Sequence, residues 1–307
     1  MDEKLSLKKR KKALTTRAEM IRAIRRFFAD RDYLEIETPI RVPTLAPESH
    51  IDAIPSDGWF LHTSPELCMK RLLAAGFHRI FQISHCFRKG ERGRLHIDEF
   101  TLLEWYRAGI DYLDMMEECE DLFLFVAGEL GFGKTIEYRG RKIDLAKPWE
   151  RISVREAFQR YSSLSPGEAI EKGCFDEIMV AEIEPNLGEN KPSFLYDYPV
   201  SLGSLARKKK EDPSVAERFE IYAGGLELAN AFSELTDAEE QRKRFQKEDE
   251  FRRRSKKTAY PVPEKFLDAL SDMPESSGIA LGVDRLAMIF AGSASIDEVV
   301  AFTPEEL

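Results

Sequence analysis

Apolar residues recur every three or four positions between Thr15 and Asp30, at Ala18, Ile21, Ile24, Phe27 and Phe28, and this spacing predicts an amphipathic helix ending near Arg31-Asp32. The next segment, YLEIETPI, alternates instead: Leu34, Ile36 and Thr38 predict a strand stopped by Pro39. WFLHTSPELCMKRLLAAGF reads as a short strand and then a helix, for which Ser64-Pro65-Glu66 supplies an N-cap, a first-turn proline and an early acid. In RIFQISHCFRKGERGRLHIDEFTLLEWYRA two apolar runs flank a charged loop, the pattern of a hairpin with a long tip. Residues 112–130 predict a helix, and 149–161 a second helical region carrying Ile152, Val154, Ala157 and Phe158. KPSFLYDYPV, RFEIYAGGLELANAF and IALGVDRLAMIF supply further strand-like stretches, the last running into a helix. With few parallel crossover units in view, the predicted fold class is α+β, a central, mainly antiparallel sheet flanked by helices.

A chain of 307 residues, 43% of them hydrophobic, can bury one large core, so residues 15–307 are predicted to form a single domain behind a basic lead-in, residues 1–14. The lead-in holds the run Lys8 to Lys12, and the stretch from Glu239 to Lys257 is similarly charged; both read as solvated. The balance of 55 acidic against 46 basic side chains, a formal −9, gives no average field that draws the chain to a phosphate backbone and argues against tRNA as a partner. Cys68, Cys86, Cys119 and Cys174 stand too far apart for zinc-ligand spacing and read as reduced thiols. No apolar leader and no run of about 18 apolar residues occurs, which predicts a soluble, cytoplasmic chain without membrane contact.

Residues 128–135, GELGFGKT, satisfy the P-loop pattern letter by letter. That mechanism needs a strand before the loop and a helix after it, so that amides and a helix N-terminus converge on phosphate. Here the order is reversed, with a helical DMMEECEDLFLFVAGEL before and a strand-like TIEYRGRKIDL after. The glycines are therefore assigned to a helix end and turn.

Activating a carboxylate with ATP needs cations for the phosphates, acids for a metal, and a pocket for the acid being activated. Arg88 opens the hairpin loop, and Arg285 sits beside Gly282 where a strand passes into a helix. Glu220, Glu227 and Glu234 lie among apolar residues, as does Glu104 within TLLEWY, where a solvated-edge reading serves poorly and a cationic partner or metal is called for.

In order and spacing these residues resemble the signature motifs of class II aminoacyl-tRNA synthetases of the lysyl branch: YLEIETPI as motif 1, FRKGERGRLHIDEFTLLEWY as motif 2, GIALGVDRLAMIF as motif 3. TSPELCMKRLL, SFLYDYPVSLGSLAR and FEIYAGGLELANAFSELTDAEEQRKRF are also lysyl-like, and the likeness runs over roughly residues 15–305. The chain starts at the catalytic domain, with no room for an anticodon-binding domain, and so resembles the elongation factor P lysine ligase family, whose members join (R)-β-lysine to a lysine side chain of that translation factor. The resemblance implies the class II catalytic fold, a homodimer built through motif 1, ATP and Mg²⁺, and the substrate lysine or (R)-β-lysine. It implies that Arg88 holds the α-phosphate, Arg285 the γ-phosphate, Phe100 the adenine, and His96 the phosphates, with Glu91, Leu228 and Gly282 completing the nucleotide contacts. Glu220 and Glu227 are implied as Mg²⁺ ligands. Glu104, Tyr106, Asn230 and Glu234 are implied to receive the substrate's side-chain ammonium, and Ser64, Pro65 and Glu66 its other amine, in a pocket with two separate acidic ends.

The chain departs from the family at three places. Gly90 stands where motif 2 usually has the adenine-reading glutamate, so either Glu91 substitutes through a shifted loop or backbone reads the base. Ile97-Asp98 replaces the usual Asn-Pro, and Ala280 replaces a motif 3 glycine of lysyl-tRNA synthetases. Two other functions share these motifs: a truncated enzyme charging RNA, and a non-catalytic binder of ATP or amino acid.

Overall fold

The computed structural model describes residues 3–307. Eight strands form one sheet: β1 (Leu34–Glu35), β2 (Arg79–Phe87), β3 (Glu99–Ala108), β4 (Glu150–Ser153), β5 (Ser193–Pro199), β6 (Val215–Ala223), β7 (Leu226–Ser233) and β8 (Ser276–Gly282). Their spatial order is β1-β2-β3-β8-β7-β6-β5-β4; the two outermost pairs run parallel and the five inner pairs antiparallel. The helices that matter for the site are α1 (Glu3–Ala29), α2 (Glu66–Ala74), α3 (Tyr112–Glu129), α4 (Val154–Tyr161), α5 (Ala238–Arg254) and α6 (Val283–Ala291). No helix among the described residues is long and apolar enough to cross a membrane.

Period-two alternation divides the sheet into a core face and a working face. In β3, Leu103 and Trp105 enter the core with Met20, Ile24, Phe27 and Phe28 of α1 and with Met115, Cys119 and Phe123 of α3. Phe100, Leu102, Glu104 and Tyr106 take the opposite face. The same alternation holds in β6 and β7, where Phe219, Ile221, Ala229 and Ala231 are core and Arg218, Glu220, Asn230 and Phe232 face away. Register aligns Glu104 with Ala280, Ala280 with Asn230, and Asn230 with Glu220, one row across four strands. At ~4.8 Å per strand, the row is roughly 14 Å long, the scale of an amino acid laid end to end with a phosphate chain.

Several sequence expectations change. The lead-in is not a tail: α1 runs unbroken from Glu3, because the lysines and arginines of this stretch are good helix formers, and Arg10 anchors it by a two-pronged pair to Glu306 with both bonds at 2.7 Å. Residues 1 and 2 of that lead-in lie outside the described residues. YLEIETPI pairs with the sheet only at Leu34–Glu35 and through the Ile36 amide, then departs toward Pro39, which has no amide to give. The helical region from Trp149 begins with β4, and only Val154–Tyr161 is helix, capped by Ser153 and Glu156. The charged stretch 239–257 is helical as α5 through Arg254, yet its Arg252 is 0% exposed. The turn at 128–135 is as read: α3 ends at Glu129, Gly131 and Gly133 adopt positive φ, and a strand starts at Thr135.

Gly278 of β8 is where the working face is tightest. A Cβ there would overlap the Tyr106 ring and the Glu234 carboxylate, which only a bare glycine admits. Gly278→Ala is expected to lower unfolding stability by ~1–3 kcal/mol, the range for overpacking a closed core. An unchanged denaturant midpoint would contradict this packing.

Candidate active site

A cleft of about 540 Å³ opens over the row, bounded by the β2–β3 loop (residues 88–98), the start of α6 and the working faces of β7 and β8. Arg88, Glu91, His96, Phe100, Glu227, Leu228, Gly282 and Arg285, the residues expected around a nucleotide, all line it, as does Asn230. Arg88 lies with its guanidinium 5.0 Å from the Phe100 ring centre and 3.9 Å from Glu91, and its buried Nε has no partner among the described residues. Arg285 donates to the Glu227 carbonyl at 2.7 Å and to His96 Nε2 at 2.5 Å. Burial, helped by the neighbouring Arg285, holds His96 below its usual pKa, so the ring is neutral and accepts. Gly90 turns with φ +80°, and the loop presents Glu91, the next residue, to the cleft.

Behind the cleft lies a buried acidic cluster. Ser64 Oγ donates to Glu104 Oε1 at 2.5 Å and Tyr106 donates to Glu104 Oε2 at 2.8 Å. Lys70 Nζ sits 2.6 Å from Glu66 and 2.5 Å from Glu234. Neither oxygen of Glu234 receives a directed hydrogen bond from the described residues, although the side chain is 0% exposed. Burial pushes the Glu104 carboxyl up to about 8, with Glu66 adding to the rise while Ser64 and Tyr106 resist it. Burial does the same to Glu234, also up to about 8, against the pull of Lys70. Burial opposes the Lys70 charge, yet Glu234 and Glu66 hold that ammonium above its ordinary range. Three carboxyls thus stand around one cation, and the cluster can ionise fully only when a second cation joins it. The two separate acidic ends expected from sequence are one contiguous cluster, because Ser64 turns to Glu104 and Glu66 to Lys70. Pro65 takes part through its carbonyl, which accepts the Cys68 and Met69 amides that open α2.

The other end of the row holds Glu220, which accepts from Tyr198 at 2.5 Å, Tyr222 at 2.7 Å and Arg218 at 2.7 Å. Burial raises its pKa, with Arg218 opposing and Glu227 adding. Glu227, expected to be buried, has a side chain 39% exposed, because a register shift beside Tyr222 turns it out to the cleft. No group of three or more His, Cys, Asp or Glu among the described residues is arranged to hold a metal. Two carboxylates, one open to the cleft, fit a Mg²⁺ that arrives on phosphate oxygens rather than one held in a protein cage.

Sequence reasoning missed five charged residues here. Lys70 stands four residues after Glu66 on a helix, a spacing that usually marks a surface pair. Asp284 receives Arg17 and the Thr101 amide, each at 2.7 Å, and so ties α1 and β3 to the helix that carries Arg285. Arg218 spans Glu220 and Asn230, and alternation within β6 would have placed it on their face. Glu184, in a short 3₁₀ turn and pushed up to about 7 by burial with Glu220 and Glu227 adding, and Glu48, in an irregular segment of the cleft wall, carry no periodic signal.

The folded chain keeps protons on Glu104 and Glu234 that an unfolded chain gives up above about 4.5. The stability these acids contribute is complete below that pH and is lost as pH rises through about 8. Glu104→Gln removes one of the titrations. Melting temperatures taken from about pH 5 to about pH 9 are expected to shift progressively in the variant's favour relative to the parent, and a constant difference would count against a proton held on Glu104.

A sequence profile of the family described as tRNA synthetases class II (D, K and N) matches residues 4–306. Proteins of Salmonella schwarzengrund, Salmonella heidelberg and Salmonella agona named elongation factor P–(R)-β-lysine ligase are each 39% identical over 323 aligned positions, covering 94% of this chain and 94% of theirs. The large sheet with flanking helices and the motif order agree with that match, and the chain belongs to the class II tRNA synthetases of the D, K and N group.

Proposed function

We propose that this chain is an ATP-dependent ligase that activates (R)-β-lysine, or lysine, as an aminoacyl-adenylate and transfers it to a lysine side chain of elongation factor P. The observation that carries the reading is the acidic cluster. Buried Glu104 and Glu234 and the partly exposed Glu66 gather around one lysine, which pairs with Glu66 and Glu234, beside a cleft lined by Arg88 and Arg285. A substrate ammonium supplies the missing cation, received by Glu104 and Glu234 with Tyr106 behind and Asn230 along the row. The names of the Salmonella relatives support the choice of acid and acceptor.

The substrate carboxylate attacks the α-phosphate and pyrophosphate leaves; the acceptor amine then attacks the mixed anhydride and AMP leaves. No covalent nucleophile from the protein is required, so positioning and electrostatics do the work. Arg88 takes the charge developing on the α-phosphate, and Arg285 with neutral His96 meets the distal phosphates. Phe100 and Glu91 hold adenine, against backbone at Leu228 and Gly282. Glu227, with Glu220 behind it, would hold Mg²⁺, which lends charge to the phosphate oxygens. A second copy packs along motif 1, where Leu34 and Ile40 stay exposed at the surface, to give a homodimer. The reaction belongs in the cytoplasm, where translation factors work.

Intact-mass analysis of elongation factor P after incubation with this protein, ATP, Mg²⁺ and (R)-β-lysine is expected to show a gain of one lysyl unit, with no charging of tRNA in a parallel assay. Arg88→Ala is expected to lower ATP–pyrophosphate exchange by about 10²- to 10³-fold, as for loss of one preorganised oxyanion donor. Charged RNA with unmodified protein would overturn the acceptor, and exchange insensitive to Arg88 would overturn the site.

A further inference from the structure

Arg92 lines the nucleotide cleft from the tip of the β2–β3 loop, yet its guanidinium is already engaged. Nε and Nη2 donate to the two oxygens of Glu305, each at 2.9 Å, and Nη2 also reaches Asp297 Oδ2 at 3.2 Å. Nη1 donates to the Gly93 carbonyl at 3.1 Å and lies 2.9 Å from the other Asp297 oxygen. Arg88, in the same loop, keeps a buried Nε without a partner among the described residues. Of these two arginines, Arg88 has donors to spare for a phosphate and Arg92 is bound into the protein.

Glu305 and Asp297 belong to residues 294–306, which follow α6 and run beside the loop. Ile296 donates its amide to the Arg94 carbonyl at 2.9 Å, and Ser295 its hydroxyl to the same oxygen at 3.3 Å. This segment is fixed in turn: Ile296 and Val299 are buried in the main core, and Arg10 of α1 pairs with Glu306 and donates to the Ala301 carbonyl at 3.0 Å. On the other side of the loop, Arg285 donates to the Leu95 carbonyl at 3.4 Å. The stretch from Arg92 to His96 is therefore held from both sides. A hairpin tip that is free to move loses backbone freedom when a ligand orders it, and tethering it beforehand lessens that loss.

We infer that Arg92, Glu305 and Asp297 are positioning residues for the nucleotide: they form a clasp that ties the loop tip to residues 294–306 and so presents Glu91 and His96 to ATP. This rests on the reading of the cleft as an ATP site. Arg92 acts through the backbone of its loop rather than by touching phosphate. Its hydrogen bonds pull the Glu305 carboxyl down to about 2, so the pair is charged throughout the neutral range.

The test is calorimetric binding of ATP with Mg²⁺, without amino acid, to the full chain and to three variants: Arg92→Gln, Glu305→Ala with Asp297→Ala, and all three changes together. Each of the first two is expected to raise the Kd for ATP by about 3- to 10-fold, the loss of a two-pronged ion pair supported by a second acid. The combined variant is expected to bind no more weakly than either, since all three changes remove one interaction. The variant without the two acids decides the sign. Deleting two negative charges, or freeing an arginine that could grip phosphate, would tighten ATP binding, whereas loss of the clasp weakens it. Tighter or unchanged binding by that variant overturns the inference. In ATP–pyrophosphate exchange the KM for (R)-β-lysine is expected to stay within about twofold in every variant, and a rise equal to that for ATP, with a lowered melting temperature, would mark general loosening and also overturn it. If the parent chain binds ATP but exchanges with neither lysine nor (R)-β-lysine, the proposed reaction fails while the clasp is still read from the Kd values; a parent chain that binds no ATP overturns both.

Discussion

The arrangement of this protein depends on burying two carboxylates, Glu104 and Glu234, beside a single lysine that also pairs with the partly exposed Glu66. Such a cluster is tolerable in the empty protein because burial favours the protonated acids, and because Ser64 and Tyr106 aim their hydroxyls at Glu104. The surrounding sequence is constrained to keep that geometry. Gly278 has no side chain because Tyr106 and Glu234 occupy the space, and α2 must place Glu66 and Lys70 one turn apart on its inner side. Together these residues leave a place for one more cation.

The sheet converts that pocket into a route. Because side chains alternate, the same strand that buries Leu103 and Trp105 under α1 and α3 turns Phe100, Leu102, Glu104 and Tyr106 to the cleft. Register then carries the row from Glu104 through Ala280 and Asn230 to Glu220, so the distance between its two acidic ends is set by strand spacing rather than by loops. Loops supply other parts of the cleft wall: Arg88 and Glu91 from the hairpin tip, and Glu48 from the segment held by Arg252. Asp284 joins α1, β3 and α6 behind them and keeps Arg285 in register with Phe100.

Elements with a strong period were legible in the sequence: the β2–β3 hairpin, α3, and β8 running into α6. The P-loop match could be rejected on element order alone. Burial of individual charges was less legible, since it depends on which elements meet. Arg252 lies in a helix whose local composition is almost entirely charged, and the loop from Glu48 to Asp52, some 200 residues earlier, with Thr258 and Tyr260 makes it a core residue. Glu220 and Glu227 look equivalent in the chain, but Glu220 lies in regular register on the buried row while a register shift beyond it opens Glu227 to the cleft. The residues expected around a nucleotide line one cleft, whereas the two expected acidic ends form one cluster because Lys70 bridges Glu66 and Glu234.

Proton linkage tests the central claim, that the cluster is a cation site waiting for a substrate amine. (R)-β-lysine would be titrated calorimetrically into the protein near neutral pH, with a non-hydrolysable ATP analogue present, in two buffers of different ionisation enthalpy. Since Glu104 and Glu234 are pushed up to about 8 in the empty protein, binding an ammonium beside them is expected to expel protons, and the heat will differ between buffers. Binding with the same heat in both buffers would mean that no carboxyl changes its proton on binding, and would contradict the account.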